Sequence, residues 1–221
     1  IRTVALAHHA DDQVELFFLR LLRGAGGDGL AGMDWAGQSP SDPAERLVRP
    51  LLNLSKADLR SFAREEGIPF REDASNAQLD HERNRIRHEL LPLLREKFQP
   101  SLARTTLRLM EIIGQESDFV EQATLLWKPR RPSPPFDELH VAVQRRVLRR
   151  QLMELGMAPD FDLVERLRGS VDQKVMAQPE QVVWRDRRGR VQTGRVASFP
   201  FDADRALFDL TGGKARIAFR G

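Results

Sequence analysis

Two groups of residues in this 221-residue sequence have types and spacings that could do chemistry. The first is His8, His9, Asp11, Asp12 and Glu15. Two imidazoles and three carboxylates near a helix start can bind a divalent metal, with Asp12 the candidate ligand, hold an ammonium group, or orient a nucleophile. The order is not one of the hydrolytic zinc patterns. A structural reading stands beside the chemical one: Asp11 caps the helix and its neighbours face water or complement the helix dipole.

The second group starts at Glu72, Asp73 and Asn76, whose oxygens suit a turn, and continues through Arg83, Asn84 and Arg87. Arg83 and Arg87 are four residues apart, so on a helix both guanidinium groups reach one anion. Their structural alternative is surface pairing with Glu72, Asp73, Glu82 and Glu89. Arg20 and Arg23 form a third basic pair, on the first helix. For the two main groups to act together, Asp12 and the Arg83–Arg87 pair must meet in a shared crevice.

Positioning these groups requires a strand and several helices. Residues 3–7 read as a short apolar strand, after which Val14, Phe17, Phe18 and Leu21 mark the buried stripe of a helix over about 12–23. A strand running directly into a helix puts His8 to Asp12 at the strand's carboxyl end, where open α/β sheets bind ligands. Glycines 24, 26, 27, 29 and 32 predict a turn region, and residues 35–45 an exposed loop. A second strand is expected over 47–52, with Pro50 marking its end or an edge position. Ser55 and Asp58 then announce a capped helix through Glu66, with Leu59, Phe62 and Ala63 inward. A further helix begins near Leu79 or Asp80, with Ile86, Leu90, Leu93 and Leu94 inward and Pro92 kinking or dividing it. Leu102, Thr105, Leu109, Ile112, Phe119, Ala123 and Leu126 trace one face of a helix of roughly 25 residues. Residues 128–136 hold four prolines and read as a linker. Helices over about 139–155 and 161–167 and strands near 180–184, 189–196 and 215–219 complete the chain. Trp127 and Trp184 read as packing residues, and His81 and His140 as structural or solvated.

Composition narrows the class. Hydrophobic residues make up 41% and charged residues 30%, as in a globular protein, and no apolar run approaches the roughly 20 residues that span a bilayer. Without cysteine there is neither a disulfide nor a thiolate nucleophile. No secretory peptide is visible, so the expected compartment is the cytoplasm. A net charge of +3 is small, yet arginines cluster at 130–131, 145–150 and 185–190, which suits a polyanionic partner as well as a solvated surface.

These blocks resemble the N-type ATP pyrophosphatase (PP-loop) domain of tRNA(Ile)-lysidine synthases. The resemblance rests on Leu6-Ala7-His8-His9-Ala10-Asp11-Asp12-Gln13-Val14-Glu15, Arg49-Pro50-Leu51-Leu52, Glu72-Asp73-Ala74-Ser75-Asn76, Arg83-Asn84-Arg85-Ile86-Arg87 and Leu91-Pro92-Leu93-Leu94. It covers about residues 3–127, and the remainder is similar to the middle domain of the same enzymes. It implies an α/β fold: a partial adenine-nucleotide α-hydrolase-like parallel sheet domain over 1–100, a long connecting helix over 101–127, the linker over 128–136, and a smaller tRNA-binding domain of helices and short strands over 137–221. It also implies ATP and Mg2+ as cofactors, with free lysine and tRNA(Ile) as substrates. ATP would adenylate the C2 carbonyl oxygen of the wobble cytidine, and the lysine amine would then attack C2 and displace AMP. By resemblance, Asp11, Asp12 and Glu15 handle magnesium or the lysine ammonium. Arg83, Arg87 and Arg20 face phosphate or carboxylate, while His8, His9, Arg23, Asp73, Asn76 and Asn84 complete the binding set. Leu16 stands where the family has threonine, and the family's Ser-Gly-Gly-x-Asp-Ser loop does not occur in the sequence. The expectation is therefore the latter part of a catalytic domain, with no appreciable ligation by this polypeptide alone and a separate chain as a candidate source of the loop. Alternatives are a noncatalytic RNA-binding module and another ATP-dependent RNA base-modifying synthetase.

Overall fold

The computed structural model describes residues 2–70, 82–129, 132–195, 206–209 and 216–219. They fall into two compact units, Ile1–Gln122 and Ala123–Gly221. The expected features of residues 71–81, including the first turn of the helix near Leu79, the binding candidates Asp73 and Asn76, and His81, lie outside the described residues.

In the first unit, strand β1 (Arg2–Ala5) pairs in parallel with β3 (Glu45–Val48), and β2 (Ala36–Gln38) adds antiparallel to β3. The order is β1-β3-β2, so among the described residues β1 is an edge strand, and all four of its residues are exposed. The predicted loop over 35–45 thus contains a strand, because the backbone of Ala36 to Gln38 completes the free side of β3. Helix α1 (Ala10–Leu22) follows β1 directly. Val14 is fully buried and Phe17 nearly so, whereas Leu21, expected inward, is 46% exposed. The glycine region folds as the short helix α2 (Gly27–Leu30). Ser55 caps α3 (Lys56–Glu65) as the sequence predicts, with Asp58 returning the capping-box bond, and the Ser55 hydroxyl holds the Asp58 carboxyl below its ordinary range. None of the expected stripe of α3 is buried, and Phe62 is exposed.

The helix after residue 81 runs as α4 (Glu82–Arg85), a π-helical turn (Ile86–Leu90) and α5 (Leu91–Lys97). Pro92 sits in the first turn of α5, where its missing N–H falls at the wide turn rather than breaking the helix. The extra residue shifts the inward phase. Ile86 and Leu91, five apart, are both buried against Val14, while Leu93, expected inward, is half exposed.

Helix α6 (Leu102–Leu126) has the predicted length. Its buried side in the first unit is Thr106 and Met110, not the expected Thr105, Leu109 and Ile112. Small residues decide this. Gly114 approaches Ala31, Ile113 and Ser117 approach Gly27, and Ser117 bonds Asp28, so α2 docks on that side of α6. At Gly32, with φ of +91°, a Cβ would collide with Met110 and the Gln13 amide.

In the second unit, α7 (Val141–Glu154) and α8 (Phe161–Gly169) pack with an antiparallel sheet of β4 (Val175–Gln178), β5 (Gln181–Arg185) and β6 (Val191–Arg195). A separate two-stranded sheet pairs β7 (Ala206–Asp209) with β8 (Arg216–Phe219). The core is Phe136, Val147, Leu148, Leu152, Met157, Leu163, Val164, Leu167, Val175 and Val183, with Trp127 packed against it. His140 caps α7, accepting from the Ala142 N–H at 3.2 Å, a structural role as expected. The later part of the proline stretch read as a linker is folded into this unit: the Trp127 indole donates to the Pro134 carbonyl at 3.0 Å and Phe136 is 1% exposed. Arg185 is only 2% exposed; it stacks on Phe136, donates to the carbonyls of Leu167 and Arg168 at the end of α8, and pairs with Asp137 at 3.1 Å.

On α8, Glu165 is gripped by Arg168 and Arg145, whose hydrogen bonds lower its carboxyl to about 2. A depressed carboxylate favours the folded state above its ordinary pKa of 4.5, and that contribution is lost as pH falls from there toward 2. Thermal melts should therefore show a shallower loss of stability between pH 4.5 and 2 for Glu165→Gln than for the parent chain.

Candidate acid and arginine site

The site forms where β1 gives way to α1. The Leu6 N–H still bonds the Val48 carbonyl at 2.8 Å, the Ala10 N–H bonds Leu54 O at 2.9 Å, and the chain between turns into the helix. His9 is the N-cap, and its backbone N–H donates to Asp12 Oδ2 at 3.0 Å. Asp12 and Glu15, three residues apart, share one helical face and are 8% and 2% exposed.

Opposite that face stand two arginines distant in sequence. Arg83 donates from Nη2 to Asp12 Oδ1 at 2.5 Å and from Nε to Glu15 Oε2 at 2.9 Å. Arg87 donates from Nε to Glu15 Oε1 at 2.5 Å and from Nη2 to Glu15 Oε2 at 2.8 Å, a bidentate fork. Those bonds to Glu15, together with the nearby carboxylates, raise the Arg87 guanidinium above its ordinary value. The structure thus brings Asp12, Glu15, Arg83 and Arg87 together across 68 to 72 residues of chain. Two acids and two cations make a cluster of near-zero net charge, held in two carboxylates that water scarcely reaches.

The other candidates are placed differently. Asp11 turns toward α3, accepting from the Lys56 N–H at 2.8 Å, with Arg95 3.7 Å away. It therefore caps a second helix as well as bordering the site. His9 Nδ1 lies 3.5 Å from Asp12, and the buried Nδ1 atoms of His8 and His9 have no hydrogen-bond partner among the described residues. Arg20 donates to the carbonyls of Gly29 and Gly32 at 2.7 and 3.1 Å and so holds the glycine turn. Arg23 pairs with Glu82 at 2.5 Å, and Asn84 lies half-buried on α4 beside Arg83. Sequence reasoning missed Gln13, whose buried amide donates to Met33 O and accepts from Met33 N, fixing the segment after α2. It also missed Arg95; the one available signal was a further arginine downstream on the same helix.

A resident divalent metal does not fit this arrangement. Guanidinium groups take the Asp12 and Glu15 oxygens a cation would need, and no group of three His, Asp or Glu among the described residues is arranged to hold a metal. In the glycine turn, the carbonyls of Gly29 and Gly32 face Arg20.

Comparison with known proteins supplies the deciding observation. Residues 1–94 match the PP-loop domain of an ATP-binding family, and residues 133–196 match the TilS substrate binding domain, in that order. In both domains the chain is similar to tRNA(Ile)-lysidine synthases. Proteins of that name include one from Gloeobacter violaceus, 36% identical over 176 residues, which span 76% of this chain and 54% of the relative. One from Synechococcus sp. (strain JA-3-3Ab) is 38% identical over 173 residues, 73% of this chain and 52% of the relative. One from Geobacter sulfurreducens is 43% identical over 126 residues, 55% of this chain and 26% of the relative. The chain therefore spans about half the length, or less, of these lysidine synthases. The acid and arginine cluster lies wholly within the segment matched to the PP-loop domain.

Proposed function

We propose that the chain acts in ATP-dependent ligation of lysine to C2 of the wobble cytidine of tRNA(Ile), through an adenylated tRNA intermediate. The observation that carries this is the convergence of Arg83 and Arg87 on Asp12 and Glu15. An amino acid's head group is itself an ammonium beside a carboxylate. It can enter such a cluster by exchange, its ammonium taking oxygens of Asp12 or Glu15 while its carboxylate takes Arg83 or Arg87. Net charge is then unchanged, and each buried ion keeps a partner. Asp11, His8 and His9 border the same helix start. Their part is to orient the incoming lysine, and binding in a fixed pose lowers the entropic barrier to attack. ATP adenylates the C2 carbonyl oxygen with release of pyrophosphate, and the lysine amine then attacks C2 and displaces AMP. No helix among the described residues is long and apolar enough to cross a membrane; it is the proposed tRNA substrate that places the chemistry in the cytoplasm.

Two measurements test this reading. In filter binding the chain should retain tRNA(Ile), and retention should weaken as salt rises because phosphate contacts release counterions. Radiolabelled lysine should then enter tRNA(Ile) when ATP and a second polypeptide carrying a Ser-Gly-Gly-x-Asp-Ser strand and loop are added, and not with the chain alone. Undetectable or salt-indifferent retention overturns the tRNA role. Incorporation of ammonia or sulfur in place of lysine assigns the chain to another base-modifying synthetase.

A further inference from the structure

The hairpin between β5 and β6, residues 186–190, is built more rigidly than a surface turn requires. Asp186 Oδ1 accepts from the backbone N–H groups of Arg188 at 2.8 Å and Arg190 at 2.9 Å. Gln151 of α7 reaches across to donate to Gly189 O at 2.9 Å and accept from Val191 N at 2.8 Å, bracketing Arg190. Gly189, with φ of +79°, lies so close to the Phe136 ring that a Cβ there would stand 2.6 Å from it. The three other tip residues are Arg187, Arg188 and Arg190, all exposed.

Arg145 and Arg150 of this unit are paired with Glu165 and Glu154. The guanidinium groups of Arg187, Arg188 and Arg190 and the Lys128 ammonium have no carboxylate partner among the described residues. Like charges crowded on a five-residue tip repel one another, so folding stability gives no reason to hold them in place. They border two neighbouring grooves of about 460 and 580 Å3, which share Trp127 and Pro129 as a common wall. Arg190 and Lys128 line one groove, and Arg187 and Arg188 line the other.

The geometry points to a preformed phosphate-binding ridge, made of Arg187, Arg188, Arg190 and Lys128, that takes the RNA backbone. RNA is favoured over a flat anionic surface because the cations flank grooves on both sides of a wall rather than a plane, and guanidinium forks match phosphate oxygens. The inference rests on the tRNA reading above and deepens it by assigning the residues that meet the backbone.

The test is filter binding of tRNA(Ile) over a salt series with the chain carrying Arg187→Gln, Arg188→Gln and Arg190→Gln together, and with the matching triple Lys variant. The Gln variant should bind at least tenfold more weakly at low salt. The slope of log affinity against log salt should flatten by about 2 to 3, since each lost phosphate contact removes roughly 0.7 to 0.9. The Lys variant, which keeps the charge, should recover most of the affinity, and the melting temperatures of all three should agree. If both variants bind as the parent does, the ridge is excluded while the tRNA reading stands. If the parent itself retains no tRNA, or captures phosphatidylserine vesicles instead, both fall.

Discussion

Glu15→Ala is expected to destabilise the first unit by about 3–5 kcal/mol, because it takes both acceptor oxygens of the Arg87 fork and leaves Arg83 with Asp12 alone beside a buried gap. Glu15 is 2% exposed and accepts bonds from both Arg83 and Arg87, so water cannot readily take its place. Urea unfolding followed by far-UV circular dichroism reads the effect. Glu15→Gln keeps the shape and one acceptor oxygen and should fall between the parent and Ala. A change below about 0.5 kcal/mol for Glu15→Ala would mean that the cluster is not closed in solution. Near neutral pH the interaction should be insensitive to pH. Arg87 is raised above its ordinary value, so its contribution is complete below that value and fades only as pH climbs through the raised one.

Phe136→Ala should cost the second unit about 3–5 kcal/mol, the range for removing a fully buried ring. The ring is 1% exposed, meets Trp127 edge-on at 6.0 Å, and stacks under the buried Arg185 guanidinium at 4.5 Å. Its loss opens a cavity and also leaves Arg185 with a bare apolar side, so the upper part of that range is expected. Phe119→Ala is the comparison: that ring is 73% exposed and its removal should stay within about 0.5 kcal/mol. The same urea titration checks both, and equal costs would contradict the difference in burial between the two rings.

Much of this was legible in the residues themselves. Ser55 with Asp58 located the start of α3, the strand running into Asp11 and Asp12 located α1, and the 25-residue reach of α6 followed from its apolar periodicity. The pairing of Asp12 with Arg83 could be anticipated because both groups lie in blocks of the PP-loop domain, whereas no local pattern distinguishes an arginine aimed at Glu15 from one aimed at Glu89. Arg85, two residues from each, does take Glu89. What periodicity could not supply was phase. The buried side of α6 was set by glycines on a different element, and that of the helix after residue 81 by an extra residue within it. The proline run misled for a related reason: composition reports stiffness, but a single ring, Phe136, anchors that run into a core.

The wide turn at Ile86–Leu90 has a mechanical meaning. In a regular helix, positions five apart lie about 140° away from one another around the axis, so Ile86 and Leu91 could not both reach Val14. The segment works as a gear between two partners: upstream it is timed to the carboxylates, downstream to the apolar pocket. Deleting one residue within it would restore an unbroken hydrogen-bond ladder, a local gain, yet would swing everything after it by about 100°. Such a shortened helix could mesh with one partner or the other, never with both.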